Sequence, residues 1–140
     1  MSTTHIHNGS APERWLVYDA TDRVLGRMAS DIAMKLMGKD QPIYTPNVKT
    51  GAFVVVVNAE KVKITGKKSE QKTYAHYTGY PSGRKEVDYT DLQDRRPEEI
   101  IRLAVRRMLP KTILGRQMYT RLKVYSGPNH PHAAQQPVNA

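Results

Sequence analysis

The sequence predicts a single α/β domain, on three observations. Four consecutive valines, Val54 to Val57, lie inside the run Ala52–Asn58. Such a run suits a strand buried on both faces, as in a parallel sheet. Trp15–Asp19 is a second short apolar run upstream. Between the two, Leu25, Met28, Ala29, Ile32, Ala33 and Leu36 recur at three- and four-residue spacing, which is one face of an amphipathic helix. Strand, helix, strand in that order is a βαβ unit, for which a right-handed crossover is expected. A chain of 140 residues fits one compact domain and is long enough to bury a real core.

The elements follow in order. Residues 1–14 are polar, lack the apolar stretch of a signal peptide and read as a flexible extension. Ala20–Val24 is a loop, and Gly38 suits the C-terminal cap of the first helix. Gln41–Gly51, with Pro42 and Pro46, is a loop; Ala59–Thr65 is a candidate short helix. Gly66–Lys72 is a polar loop, Lys72–Tyr77 a third strand, and Thr78–Lys85 a basic loop rich in glycine and proline. A short helical piece is expected at Tyr89–Arg95. The next helix starts at Pro97, with Glu98 and Glu99 in its first turn, where they favour the helix dipole. Ile101, Ala104, Val105 and Met108 form its apolar stripe, and Pro110 ends it. Ile113–Tyr119 starts a shorter helix and Leu122–Tyr125 a last strand. From Ser126 onward the chain is too rich in proline and polar residues for regular structure, so 15–125 forms the domain and 126–140 an extended tail.

Charge is unevenly placed. Glu99 is the last acidic residue, and residues 100–140 carry seven of the nine net positive charges. A basic segment interleaved with apolar residues calls for a polyanion more than for a small substrate, which is the footprint of nucleic-acid binding. The absence of cysteine excludes a disulfide, a thiol nucleophile and a cysteine-based zinc site. No window reaches the roughly 18 apolar residues of a membrane span.

Catalytic readings find little support. The Asp19–Arg27 junction, a strand leading through a loop into a helix, is a natural anion site where Arg23 and Arg27 either meet a phosphate or stay solvated. Gly26 is its only glycine, so neither nucleotide-binding glycine motif is present. Gly79–Gly83 has the wrong spacing for a serine nucleophile elbow. His130 and His132 stand two apart with no carboxylate or thiol beside them, short of the four ligands zinc takes. His76 reads as a partly buried strand histidine. No enzyme, metal or cofactor is expected. Four basic groups remain: Lys67, Lys68 and Lys72; Arg84 and Lys85; Arg106, Arg107 and Lys111; Arg116, Arg121 and Lys123. Tyr77, Tyr80, Tyr119 and Tyr125 lie beside them and suit either stacking on RNA or packing on the domain edge. No sequence-reading module is present, so recognition of structured RNA by shape and phosphate position is expected.

Val105-Arg-Arg-Met-Leu-Pro110-Lys111, then Leu114-Gly115-Arg116 and Leu122-Lys123-Val-Tyr125, resembles the signature of the large-subunit ribosomal protein family L thirteen. The similarity extends over Trp15–Ala20, Leu25-Gly26-Arg27, Tyr44-Thr45-Pro46, Asn58-Ala59, Thr65-Gly66, Arg95-Arg96-Pro97 and the tail from His130 to Pro137, which resembles the bacterial form. Lys49 and Ala52 stand where family members often carry acidic residues, and Asn47 where histidine is common. The resemblance implies a three-layer α/β/α domain with a small, mainly parallel four-stranded sheet and extended tails. It also implies a non-catalytic role: binding large-subunit rRNA early in assembly and staying in the cytoplasmic ribosome beside neighbouring ribosomal proteins, without membrane or small-molecule substrate. By this resemblance Arg27, Tyr44, Arg107, Lys111, Arg116, Arg121, Lys123 and His132 become rRNA-contact candidates. The charge reading adds Lys49, Lys67, Lys68, Arg84 and Lys85. The competing classes are a small nucleotide-binding enzyme at Asp19–Arg27 and a protein-only scaffold.

Overall fold

The structure is a computed structural model that describes residues 6–7 and 11–140. Most of the expected N-terminal extension therefore lies outside the described residues. Arg14 already belongs to the body: its guanidinium reaches Asp40 at 3.3 Å, and its carbonyl accepts the Phe53 N–H at 2.8 Å.

The fold is α/β, with a four-stranded parallel sheet and a two-stranded antiparallel hairpin. Strands β1 (Trp15–Asp19) and β2 (Phe53–Val57) pair in parallel over five residues, from Trp15 opposite Phe53 to Asp19 opposite Val57. Helix α1 (Leu25–Met37) connects them, and its buried residues are Leu25, Met28, Ala29, Ile32, Ala33 and Leu36, the stripe read from spacing. Val54, Val55 and Val56 are fully buried and Val57 nearly so, as a strand covered on both faces requires.

The chain turns sharply after α1. Gly38 takes φ +79°, the left-handed cap conformation that glycine adopts without strain. Thirteen positions later Gly51 lies against the end of the helix: a Cβ there would sit 1.8 Å from the Leu36 carbonyl oxygen. The next residue, Ala52, donates its N–H to the Lys35 carbonyl at 3.0 Å. This close crossing feeds the chain into β2 at the right height.

Six further elements depart from the sequence reading. Strand β3 (Thr73–Tyr77) does not join the parallel sheet but pairs antiparallel with β4 (Arg84–Asp88). Only the middle of the expected basic loop is a turn. Its end continues as strand, although Arg-Lys-Glu-Val-Asp shows no apolar alternation; backbone pairing carries it, with exposed Val87 opposite buried Tyr74. The expected helix at Ala59–Thr65 is a single 3₁₀ turn, Ala59–Lys61, after which Lys63 forms a parallel bridge with Val24. Helix α2 (Lys68–Gln71) occupies the expected polar loop. The tail was expected to lack regular structure, yet it has a 3₁₀ turn at Ala133–Gln135 and ends as β6 (Val138–Asn139), an edge strand parallel to β1. That pairing is carried by backbone groups, which apolar periodicity cannot reveal.

The remaining helices are α3 (Tyr89–Arg95), α4 (Pro97–Met108) and α5 (Ile113–Tyr119), before β5 (Leu122–Val124) closes the sheet in the order β5-β2-β1-β6. Helix α4 packs on α1, α3, the 3₁₀ turn at Ala59–Lys61 and β5. These four neighbours widen its buried face to Ile100, Ile101 and Val105, whereas Ala104 is half-buried and Met108 is 42% exposed. The helical layer covers the sheet face that carries Tyr18, Val54, Val56, Leu122 and Val124.

The other face is covered by the tail. Trp15 and Phe53, opposite each other in register, stack with centroids 4.5 Å apart. The His132 ring tilts onto Trp15 at 5.2 Å, and its Nε2 lies 2.8 Å from the Tyr125 hydroxyl. The Asn58 N–H donates to the Gly127 carbonyl at 3.0 Å, fixing the start of the tail to the end of β2.

Two expectations follow. Gly51→Ala should destabilise the fold by about 1–3 kcal/mol or more, since backbone must move to admit the methyl group. Gly26→Ala, where nothing lies within 4 Å of the added Cβ, should be neutral or stabilising; urea unfolding of both variants measures the difference. Docking of the tail should also depend on pH. Burial, then the charges of His130 and Lys123, hold the His132 imidazole below its ordinary pKa. An undocked tail takes the proton first, so docking is complete above about pH 6.5 and weakens as pH falls below it. Amide exchange at Ala140, whose N–H donates to the Val17 carbonyl at 3.0 Å, should accelerate beyond its intrinsic rate on acidification, and His132→Phe should abolish that response.

Candidate nucleic-acid interface

Helix α1 begins at Leu25 directly after Val24, which has no side-chain oxygen to cap it, and its first turn holds no acidic residue. Its entry loop is fixed from the sheet side. Asp19 accepts hydrogen bonds from the Thr21 N–H (2.9 Å), the Thr21 hydroxyl (2.7 Å) and the Asn58 amide (2.9 Å). These bonds stabilise the ionised carboxylate and lower its pKa to about 2, the Asn58 bond contributing most. Beyond the loop, the Leu25 N–H donates to the Lys63 carbonyl at 2.9 Å and the Lys63 N–H to Arg23 at 3.0 Å. The segment after the 3₁₀ turn is thereby held alongside the start of α1.

This arrangement opens a groove of about 410 Å³ between the start of α1, the Lys63–Thr65 segment, α2 and the end of α4. Arg27, Lys63, Lys68, Lys72 and Arg107 line it, with no carboxylate among the lining residues. Lys63 pairs with Asp22 at 2.7 Å. Among the described residues no carboxylate lies within ion-pair distance of the other four. Burial lowers the Lys72 pKa, and the positive charges of Arg107 and Lys68 lower it further. The Lys72 ammonium rests 5.1 Å from the centre of the Tyr74 ring, a cation–π contact. Like charges held together without counter-charge are poised for an anion.

Arg107 is shared with a second groove of about 630 Å³ on the adjacent face of α4. Here Arg106, Lys111, Arg116 and Tyr119 complete the wall, again without a carboxylate. Pro110 breaks the chain between α4 and α5, and the Thr112 hydroxyl caps α5 by accepting the Gly115 N–H at 3.2 Å. The break turns Lys111 and Arg116 toward the side that Arg107 faces. The two grooves thus form one cationic surface around the C-terminal end of α4, where positive side chains also complement the helix dipole.

The structure sorts the predicted residues into separate places. Arg27, Lys68 and Arg107 meet in the first groove, with Lys67 exposed at the start of α2; Lys111 and Arg116 join Arg107 in the second. Arg84 and Lys85 lie on the exposed hairpin, where Arg84 is ion-paired with Glu86. Tyr44 and Lys49 lie in the Gln41–Gly51 loop, with the Lys39 ammonium 6.0 Å from the Tyr44 ring. Arg121 is engaged by its own protein: it donates to the Gly51 carbonyl and covers Phe53 at 4.9 Å. Lys123 lies on β5 and His132 on the tail-covered face. Sequence reasoning missed Lys63, because only the Val24–Lys63 bridge brings it beside α1, and the apolar residues Ile64 and Met108 in the first groove.

The comparisons with known proteins agree with one another. Residues 13–131 match the family model described as Ribosomal protein L13. A protein of Chloroflexus aggregans is 50% identical over 137 residues, covering 98% of this chain and 96% of its own. One from Chromohalobacter salexigens is 52% identical over 138 residues, covering 99% and 97%, and one from Thermosipho africanus 52% identical over 136 residues, covering 97% and 91%. Each is named large ribosomal subunit protein uL13. The small nucleotide-binding enzyme is thereby set aside, and the chain belongs to the ribosomal protein L13 family.

Proposed function

We propose that this protein binds large-subunit rRNA chiefly through the two grooves that meet at Arg107, and that in doing so it supports early assembly of the subunit. Membership of the family makes it a structural ribosomal protein of the large subunit, not an enzyme. The observation that carries the finer reading is the cationic surface around the end of α4, whose two grooves are lined by no carboxylate. Phosphates entering it neutralise charges that otherwise repel one another. By screening phosphates where rRNA segments approach, the protein lowers the repulsion that opposes compaction. Contacts of this kind position RNA without reading its sequence.

Other surfaces serve the same role. The β3–β4 hairpin exposes Tyr77 and Tyr80, at 65% and 75%, next to Arg84 and Lys85, which suits stacking on unpaired bases. Tyr44 with Lys49, and Lys123 with His132, supply further contacts to rRNA or to neighbouring ribosomal proteins. The protein works in the cytoplasm as part of the ribosome.

Binding to large-subunit rRNA should weaken steeply with salt, and Arg107→Gln should reduce the log–log slope by about 1. Arg121→Gln should act differently, since its guanidinium is held within the protein. It should destabilise the fold by about 1–2 kcal/mol and leave the slope nearly unchanged. Filter binding over a salt series and urea unfolding check both. A salt-insensitive affinity, unaltered by charge reversal at Arg107 and Arg116, would mark a protein-only scaffold instead.

A further inference from the structure

Phosphate neutralisation leaves one property of the first groove unexplained. Part of its lining is apolar: Ile64, Ala104 and Met108, with the edge of buried Leu25, stand among the cations and form its floor in the reading below. The Met108 side chain remains 42% exposed there, at the end of a helix whose other large apolar residues are buried or half-buried. A duplex backbone offers phosphate and sugar, neither of which needs such a floor. The volume, about 410 Å³, falls in the range of sites that hold a small organic group. At one end Gly26 faces open space, so the uncapped first turn of α1 is accessible from within the groove.

We infer, building on the rRNA-binding reading above, that this groove holds a single nucleotide unstacked from the rRNA, with its base on the Leu25–Ile64–Met108 floor and its phosphate among Arg27, Lys68 and Arg107 at the start of α1. Apolar floor and cationic rim match the two halves of a nucleotide. Unpaired residues are also the part of an RNA that presents a free base face. The anion relieves the repulsion among Lys68, Lys72 and Arg107, and the N-terminal end of the α1 dipole favours negative charge beside it. Specificity here is for an unpaired nucleotide at a fixed place in the folded RNA, not for a sequence.

The test uses the full-length protein with large-subunit rRNA, measuring affinity over a salt series and protection of bases from a base-modifying reagent. Without changing charge, Gly26→Leu adds bulk at a residue that lines the groove. It should lower affinity about fivefold to a hundredfold, the worth of one base contact, with the salt slope unchanged. One unpaired nucleotide protected by the unmodified protein should become reactive. Met108→Ser, which removes part of the floor and adds no bulk, should expose the same nucleotide and guards against a disturbed helix start in the first variant. If both variants keep the affinity and the protection pattern, the groove takes backbone phosphate alone and the inference falls while rRNA binding stands. If large subunits assembled with the variants lack a neighbouring ribosomal protein while rRNA affinity is unchanged, the occupant is a protein side chain and the inference also falls. Absence of salt-dependent rRNA binding by the unmodified protein would instead overturn the parent reading.

Discussion

Parallel pairing of β1 with β2 is the constraint from which the rest of the architecture follows. Two parallel strands cannot be joined by a tight turn, so the chain must cross over one face of the sheet, and α1 is that crossover. The crossover buries one face of each strand against helices and leaves the other in need of cover. Here the second cover is not another long helix but the C-terminal segment, fixed by the Trp15–Phe53 stack, His132 and the β6 edge pairing. A small sheet thereby becomes two-sided with few residues. The same geometry requires the close approach at Gly51, because β2 must start within reach of the end of α1.

The crossover also decides where the cations work. Leaving the carboxyl end of β1, the chain enters α1 through the Asp19-braced loop, so the helix start lies at one end of the sheet. Helix α4 packs against α1, bringing Arg107 to the same place. Many of the body's acidic groups are engaged locally: Asp40 with Arg14 and Lys35, Asp22 with Lys63, Glu98 with Arg102, Glu99 with Arg96. Apart from Lys63, the cations that line the two grooves around Arg107 have no such partner among the described residues. Charge is segregated along one helix, acidic at its beginning and basic at its end, and the basic end is where the two grooves meet.

How far the fold could be read depended on the kind of signal each element carries. Helix α1 was legible to the residue, since six apolar positions at helical spacing admit one burial pattern. The valine strand was legible for the same reason. The hairpin and β6 were not, because their pairing rests on backbone hydrogen bonds and on one or two apolar contacts, such as Val87 opposite Tyr74. In α4 the stripe was read one position too narrow at Ile100, and Met108 was placed inside it. A helix packed against four neighbours buries a wider arc than a two-layer contact, and its last turn runs past them.

By itself the sequence determined the α/β class, the βαβ start, the lopsided placement of positive charge and the basic residue types that make a polyanion the natural partner. These are properties of composition and spacing, which survive without knowledge of contacts. Only the tertiary structure decided which cations act together. Arg27 and Arg107 are far apart in the chain and share a groove, while Arg121, equally basic on paper, is turned inward to the Gly51 carbonyl and the Phe53 ring. The electrostatic field at a site depends on distance between side chains, and that distance is set by packing rather than by position along the chain.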